Sequence, residues 1–169
     1  MTASPASRVG YGTALAVFLV DQLTKWIAAG PLDLPGRLLI PVLPIFDLRY
    51  VQNFGVSMGF LVADSEMGRW LLVAMTGAIA LGVAIWIGRE KARVDAIALG
   101  AVLGGALGNI LDRVRLGHVF DFLDLHVGDW HPFLVFNVAD AAITLGVVAL
   151  LLRAFLVRGG SAVSEDRNA

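Results

Sequence analysis

Four stretches of the chain are apolar over about the 20 residues a helix needs to cross a bilayer, and the segments between them break helix or carry charge. In the first, residues 11–29, Asp21 and Lys25 interrupt the second half. Four residues apart, they share one helical face. A cleavable leader has an unbroken apolar core of about 7 to 15 residues ending in a small-residue site, so this stretch is expected to be a retained span whose acid–base pair faces protein. Two readings of the pair stay open: an internal ion pair, or part of a site. Residues 30–67 cannot span, because Pro31, Pro35, Pro41 and Pro44 break helix and charges are spread throughout. Within this outside loop IFDLRYVQ alternates at period two, which predicts a strand, and Gly55 and Gly59 mark turn or bulge points. A small β element lying on the membrane surface accounts for both.

Residues 69–88 form the second span, with Trp70 and Trp86 near its ends like the aromatic belts of a transmembrane helix. A basic connection, REKARVD, leads to the third span, residues 96–113, where Gly100, Gly104 and Gly108 recur every fourth position. Such a stripe lets a neighbouring backbone approach closely. Asp112 continues the stripe and Asn109 lies three residues before it; helix dimerisation is the alternative use of the glycines. The outside loop 114–135 contains VFDFLDLHVGDWHPF, partly alternating and read as a second short strand. The fourth span, residues 136–155, has Asn137 and Asp140 in its first turns, and residues 159–169 read as a disordered cytoplasmic tail. The expected fold is an all-α integral membrane protein: one domain, residues 1–158, of four transmembrane helices with a small extracytoplasmic β element between helices 1 and 2 and between helices 3 and 4.

Composition agrees with that class. The 169 residues are 57% hydrophobic and 16% charged, with a net charge of −1. No basic cluster is long enough to follow a phosphate backbone, so no nucleic-acid partner is expected. The absence of cysteine removes thiolate nucleophiles and Cys-ligated zinc. Four crossings put both termini on one side, where basic residues number seven against six. The dense Arg89, Lys91, Arg93 group in a short loop favours termini inside.

With that topology the polar groups of the spans meet. Asp21 and Lys25 lie in the second half of an outgoing helix, and Asn109, Asp112 and Arg113 lie roughly 20 to 26 Å along another. Asn137 and Asp140 open a returning helix; Asn53 and Asp121 belong to the loops on the same face. A charge in hydrocarbon costs about 3 kcal/mol or more, so such groups read as functional. Ser57, Ser65 and Thr144 have no evident His and Asp partners. His118, Asp121, Asp124, His126 and His131 contain metal-ligating types but lack the i, i+4 His pair of a helical zinc motif, so no metal and no cofactor is expected, with the histidines in solvent-facing loops. Asp124 and Asp129 read as solvated. The remaining chemistry is that of two carboxylates, Asp121 on a mobile surface segment and Asp140 on a rigid helix: close together they cannot both ionise, and a pair sharing one proton can activate water and protonate a leaving group. Asn109, Asn137 and Arg113 would hold them in place. Intramembrane Asp21, Asp112 and Asp140 also allow a proton-coupled transporter, and the glycine stripe a non-catalytic assembly protein.

VDQLTK at 20–25, Asn53-x-Gly55, Gly108-Asn109 with Asp112-Arg113, GHVFDF at 117–122 and Phe136-Asn137-x-Ala139-Asp140 together resemble the lipoprotein signal peptidase (signal peptidase II) family, in order and spacing. The resemblance implies a multi-pass aspartyl endopeptidase of the bacterial inner membrane with a site near the periplasmic face. It would act on a prolipoprotein carrying diacylglyceryl on its lipobox cysteine and cut just before that cysteine. It assigns the dyad to Asp121 and Asp140, and substrate-binding or supporting roles to Asn53, Asn109, Arg113, Asn137, Asp112, Asp21, Lys25 and Gly108. The implied partners are the lipidated substrate and membrane lipid, with the protein a monomer. Val56-Ser57-Met58 departs from the family's Ala-Ala-Phe after the NxG turn.

Overall fold

The computed structural model describes residues 4–55 and 66–165. Ser57, Ser65, Gly59 and the Val56-Ser57-Met58 departure lie outside the described residues. Helix α1, Pro5–Ala29, starts with proline in its first turn, and the Ser4 hydroxyl accepts the Ser7 N–H at 3.0 Å. Gly30 and Pro31 end it. A single turn, α2 (Leu34–Arg37), leads into strands β1 (Leu39–Leu43) and β2 (Phe46–Asn53). Helices α3 (Glu66–Arg89) and α4 (Arg93–Leu116) follow, then strand β3 (Val119–Leu125) and helix α5 (Val138–Glu165).

Three of the described helices are long and apolar enough to cross a membrane: α3, α4, and α5 over Val138–Leu156. At 25 residues α1 has the length but is not among them; it carries Arg8, Asp21 and Lys25. The bundle is embedded in a membrane, and its surfaces are distributed accordingly. Leu15, Leu19, Leu71, Ile79, Leu145 and Leu152 are exposed outward, while Ser7, Asp21, Asp121 and Asn137 are among the most completely buried side chains. Lipid solvates the apolar exterior, and the polar groups turn inward where partners are fixed.

The expected β element is present, with one strand more than the two that were read. Both loops contribute to one antiparallel sheet of order β1-β2-β3, in which Val51 lies opposite Asp121 and Asn53 opposite Val119. The predicted strand at IFDLRYVQ is β2. Strand β1 was hidden by Pro41, which an edge strand tolerates because one row of its N–H groups needs no partner. At its far end α5 remains helical to Glu165, into the segment expected to be a disordered tail.

Helix α4 is the central element, with α1, α3 and α5 packed around it. Its glycines decide how closely. Gly100 faces the Gly10 carbonyl and Gly104 the Ala14 carbonyl, so the stripe is used by α1 within the chain. One position round, Gly105 faces α5: a Cβ there would lie 2.5 Å from the Ala139 carbonyl oxygen. Gly117 ends α4 in the left-handed conformation, φ 84°, and returns its N–H to the Arg113 carbonyl at 3.2 Å. That turn sends the chain directly into β3.

Gly105→Ala should therefore separate α4 from α5 and lower stability by about 1 to 3 kcal/mol through overpacking. Gly77→Ala on α3, where an added methyl meets nothing within 4 Å, should be neutral or slightly stabilising. Thermal unfolding of the two variants in detergent compares them; equal midpoints would refute the close α4–α5 contact.

Candidate active site

Two asparagines organise the polar end of the bundle. Asn137 precedes the first residue of α5, and its side-chain oxygen accepts the Asp140 N–H at 2.9 Å while Asp140 Oδ2 accepts the Asn137 N–H at 3.2 Å. This reciprocal capping box leaves the Asn137 amide nitrogen free to reach out of the helix. It donates to Asp121 Oδ1 at 2.7 Å, with Asn109 Oδ1 at 3.2 Å. Asn109, from α4, donates its own amide to Asp140 Oδ1 at 2.8 Å. The second oxygen of Asp121 accepts from Asn53 Nδ2 at 2.9 Å, and Asn53 Oδ1 in turn accepts the Gly55 N–H at 2.9 Å. Asp121 and Asp140 thus touch the same asparagine from a strand and a helix that sequence separates.

Beneath them lies an ion cluster. Lys25 Nζ is 2.9 Å from Asp21 Oδ2 and 2.7 Å from Asp112 Oδ2, and all three side chains are buried. The pair on α1 is therefore part of a triad reaching α4. Gln22 Nε2 donates toward both carboxylates, to Asp21 Oδ2 and Asp112 Oδ1, each at 3.1 Å. Asp21 Oδ1 accepts the Ala139 N–H at 2.9 Å, capping α5 from another helix, and Asp112 Oδ2 accepts the Phe120 N–H at 3.2 Å. A Cβ on Gly108 would lie 2.5 Å from Asp21 Oδ2, so only glycine makes room for that carboxylate. Gln22 was missed in the sequence; it lies within VDQLTK, but no charge or periodicity marks it.

Asp121 is 1% exposed, in a strand, where a mobile surface segment was expected. Burial pushes its carboxyl up to about 6; the charge of Asp140 adds to the rise, while hydrogen bonds from Asn53 and Asn137 and the charge of Lys25 oppose it. Arg113 departs from its expected role: it donates to the Asn109 carbonyl at 3.4 Å, and among the described residues no carboxylate lies within ion-pair distance of it. Its Nε is buried without a hydrogen-bond partner, and Asp140, Asp121 and Asp112 act on it through charge alone.

Asp124 differs from the solvated carboxylate expected, and two of the loop histidines are paired with carboxylates, His131 from an exposed position. Asp124 is 1% exposed and binds Arg49 Nε at 2.7 Å and His131 Nδ1 at 2.9 Å; His126 Nε2 meets Asp47 at 3.2 Å. Asp47 and Asp124 are direct cross-strand partners, and Arg49 offsets part of the repulsion between two like charges. Asp129 is exposed, as read. Among the described residues no group of three or more His, Cys, Asp or Glu could hold a metal ion. A cavity of about 570 Å³ on α1 and α4 is lined by apolar side chains, Leu15, Phe18, Leu107 and Leu111 among them, and by none of the site residues.

Asn137→Ala should remove the α5 cap and the link to Asp121 together, costing about 1 kcal/mol for the cap and further stability for the buried acceptors left unpaired. Asn137→Asp keeps a capping acceptor but sets a carboxylate against Asp121, and should be the less stable of the two above pH 6. Thermal midpoints across pH distinguish them; identical curves would contradict the geometry.

The family model described as Signal peptidase (SPase) II matches residues 13–156. The lipoprotein signal peptidase of Rhizorhabdus wittichii is 60% identical over 161 residues, covering 95% of this chain and 94% of that one. That of Sphingopyxis alaskensis is 50% identical over 154 residues, covering 91% and 89%. A solved bacterial membrane enzyme, determined by the in meso method at 2.3 Å, superposes with a TM-score of 0.72 at 26% identity over 86% of this chain and 87% of that one. Matched over most of its length by the model and by relatives this similar, the chain belongs to the signal peptidase II family.

Proposed function

We propose that the protein is an aspartyl endopeptidase of the bacterial inner membrane, a monomer, that removes the signal peptide from diacylglyceryl-modified prolipoproteins by cutting before the lipidated cysteine. Its four long helices all cross the bilayer, α1 included, with both termini cytoplasmic and the aspartates near the periplasmic face. The charges that lower the apolarity of α1 support this, since Asp21 and Lys25 face α4 and α5 and not lipid. The relatives' name, lipoprotein signal peptidase, supports the substrate class.

The observation that carries the mechanism is that Asn137 and Asn109 between them hydrogen-bond both aspartates in a largely dry site. Asp121 carries the shared proton, because burial and the neighbouring Asp140 charge disfavour its ionised form. Asp140 is then the carboxylate that takes a proton from the attacking water. As the water oxygen bonds to the scissile carbonyl carbon, Asp121 gives its proton to the carbonyl oxygen. Collapse of the resulting diol breaks the C–N bond: one diol hydroxyl returns its proton to Asp121 as the carbonyl re-forms, and the proton held by Asp140 passes to the departing amine of the lipidated cysteine. Asn53 and Asn137, donating to the two oxygens of Asp121, fix its plane throughout.

Purified protein in detergent should cleave a diacylglyceryl-modified precursor equally with and without a chelator. Asp121→Asn and Asp140→Asn should each lose at least about 100-fold in kcat while still inserting and unfolding cooperatively. Retained turnover in both single variants would reject the dyad. Because Asp121 must be protonated, kcat/KM should fall as pH rises through about 6. A profile flat between about pH 5 and about pH 8 would remove Asp121 as the proton carrier.

A further inference from the structure

The two aspartates are held from behind in the same way. Ala139, whose N–H is bound by Asp21, is the residue before Asp140; Phe120, whose N–H is bound by Asp112, is the residue before Asp121. Neither Asp21 nor Asp112 touches the candidate pair directly. Both are bound by one ammonium group, Lys25 Nζ, and bridged by one amide, Gln22 Nε2. We propose that Lys25, with Gln22, is a positioning residue: by holding the Asp21 and Asp112 carboxylates together it sets the spacing of the backbone at 120 and 139 and hence of the Asp121 and Asp140 side chains.

The geometry leaves little slack in this linkage. Each carboxylate uses an oxygen on backbone: Asp21 divides its two between Ala139 and Lys25, while Asp112 Oδ2 serves both Phe120 and Lys25 and Oδ1 faces Gln22. Gly108 closes the space behind Asp21, and Ala139 is itself fully buried against Gly105. A change at Lys25 therefore displaces two carboxylates together, and each carries one half of the site. A misplacement of about 1 Å far from the reacting atoms can cost on the order of 100-fold in rate. Lys25 also contributes charge: together with Asp140 from α5, Asp112 and Arg113 from α4, and the amides of Asn53 and Asn137, it belongs to the groups around Asp121, and it favours the ionised carboxylate.

The inference rests on the aspartyl peptidase reading, and the test separates the two. Wild-type protein, Lys25→Met, Lys25→Arg and Gln22→Leu are compared in detergent for turnover of the diacylglyceryl-modified precursor, for the pH dependence of kcat/KM and for thermal midpoint. Lys25→Met should lose about 100-fold in kcat with KM within about twofold of wild type. Its alkaline limb should move up as the cation is lost. Lys25→Arg, which keeps the counter-ion should Lys25→Met fail to accumulate, should leave the limb in place while lowering kcat about tenfold. Gln22→Leu should also lower kcat at unchanged limb. Lys25 variants with lower thermal midpoints but wild-type kcat and limb would overturn the positioning role and leave only a part in the fold. A wild-type protein that does not cleave overturns the peptidase reading, and the clamp with it.

Discussion

A carboxylate taken out of water must find donors or a counter-ion, and this fold is arranged around four of them. Asp21, Asp112 and Asp121 are almost fully buried, with Asp140 beside them, at one end of a bundle whose outer surface is Leu, Ile and Val. Hydrocarbon offers no donors, so the partners come from the chain: three asparagine amides, one ammonium, one glutamine and three backbone N–H groups at the start of α5 and the start of β3. The need for those partners explains the fold's less obvious features. Glycines let α4 approach α1 and α5 until short side chains can touch across the gap. Gly117 turns the chain sharply enough that β3 begins where Asp112 can receive its first amides.

Strand and helix do different work at this site. Asp140 sits in the third position of α5, where the capping box fixes its rotamer through its own backbone. Asp121 has no such local device, because a strand presents its side chain without returning to it. It depends on long-range donors from β2 and α5, and the sheet supplies one by setting Asn53 two residues beyond Val51, its cross-strand partner. A sheet assembled from two loops is thus what brings the second carboxylate to the first. Its far end is pinned independently by Arg49, His126 and His131 on Asp47 and Asp124.

What could be read from the sequence follows the range of each interaction. Local and periodic features were legible: the apolar stretches, the Asp21 and Lys25 face, the four-residue glycine repeat, the alternation that became β2, and Asn137 three residues before Asp140. Convergence of these at one end followed from helix direction alone. Features that depend on a distant partner were not legible. Asp124 looks like any loop carboxylate until Arg49 is placed across the strand from it. Gln22 looks like a polar residue on an apolar helix until Asp112 arrives from α4. Pro41 was read only as a helix breaker, and an edge position is what lets β1 include it. Arg113 was expected to help hold the two carboxylates in place, yet its bond goes to a backbone carbonyl.

The formal charges at this end of the bundle do not balance. Four carboxylates face two cations, Lys25 and Arg113, which leaves two formal negative charges in a region of low dielectric. The N-terminus of α5, equivalent to about half a positive charge, meets Asp21 and Asp140 and offsets part of the excess. A full negative charge still remains, and the group whose carboxyl is pushed up to about 6 is Asp121, the more deeply buried of the two aspartates bound only by neutral amides. Burial and the neighbouring Asp140 charge act on Asp121 in the same direction. The same imbalance accounts for Lys25 being shared between two carboxylates.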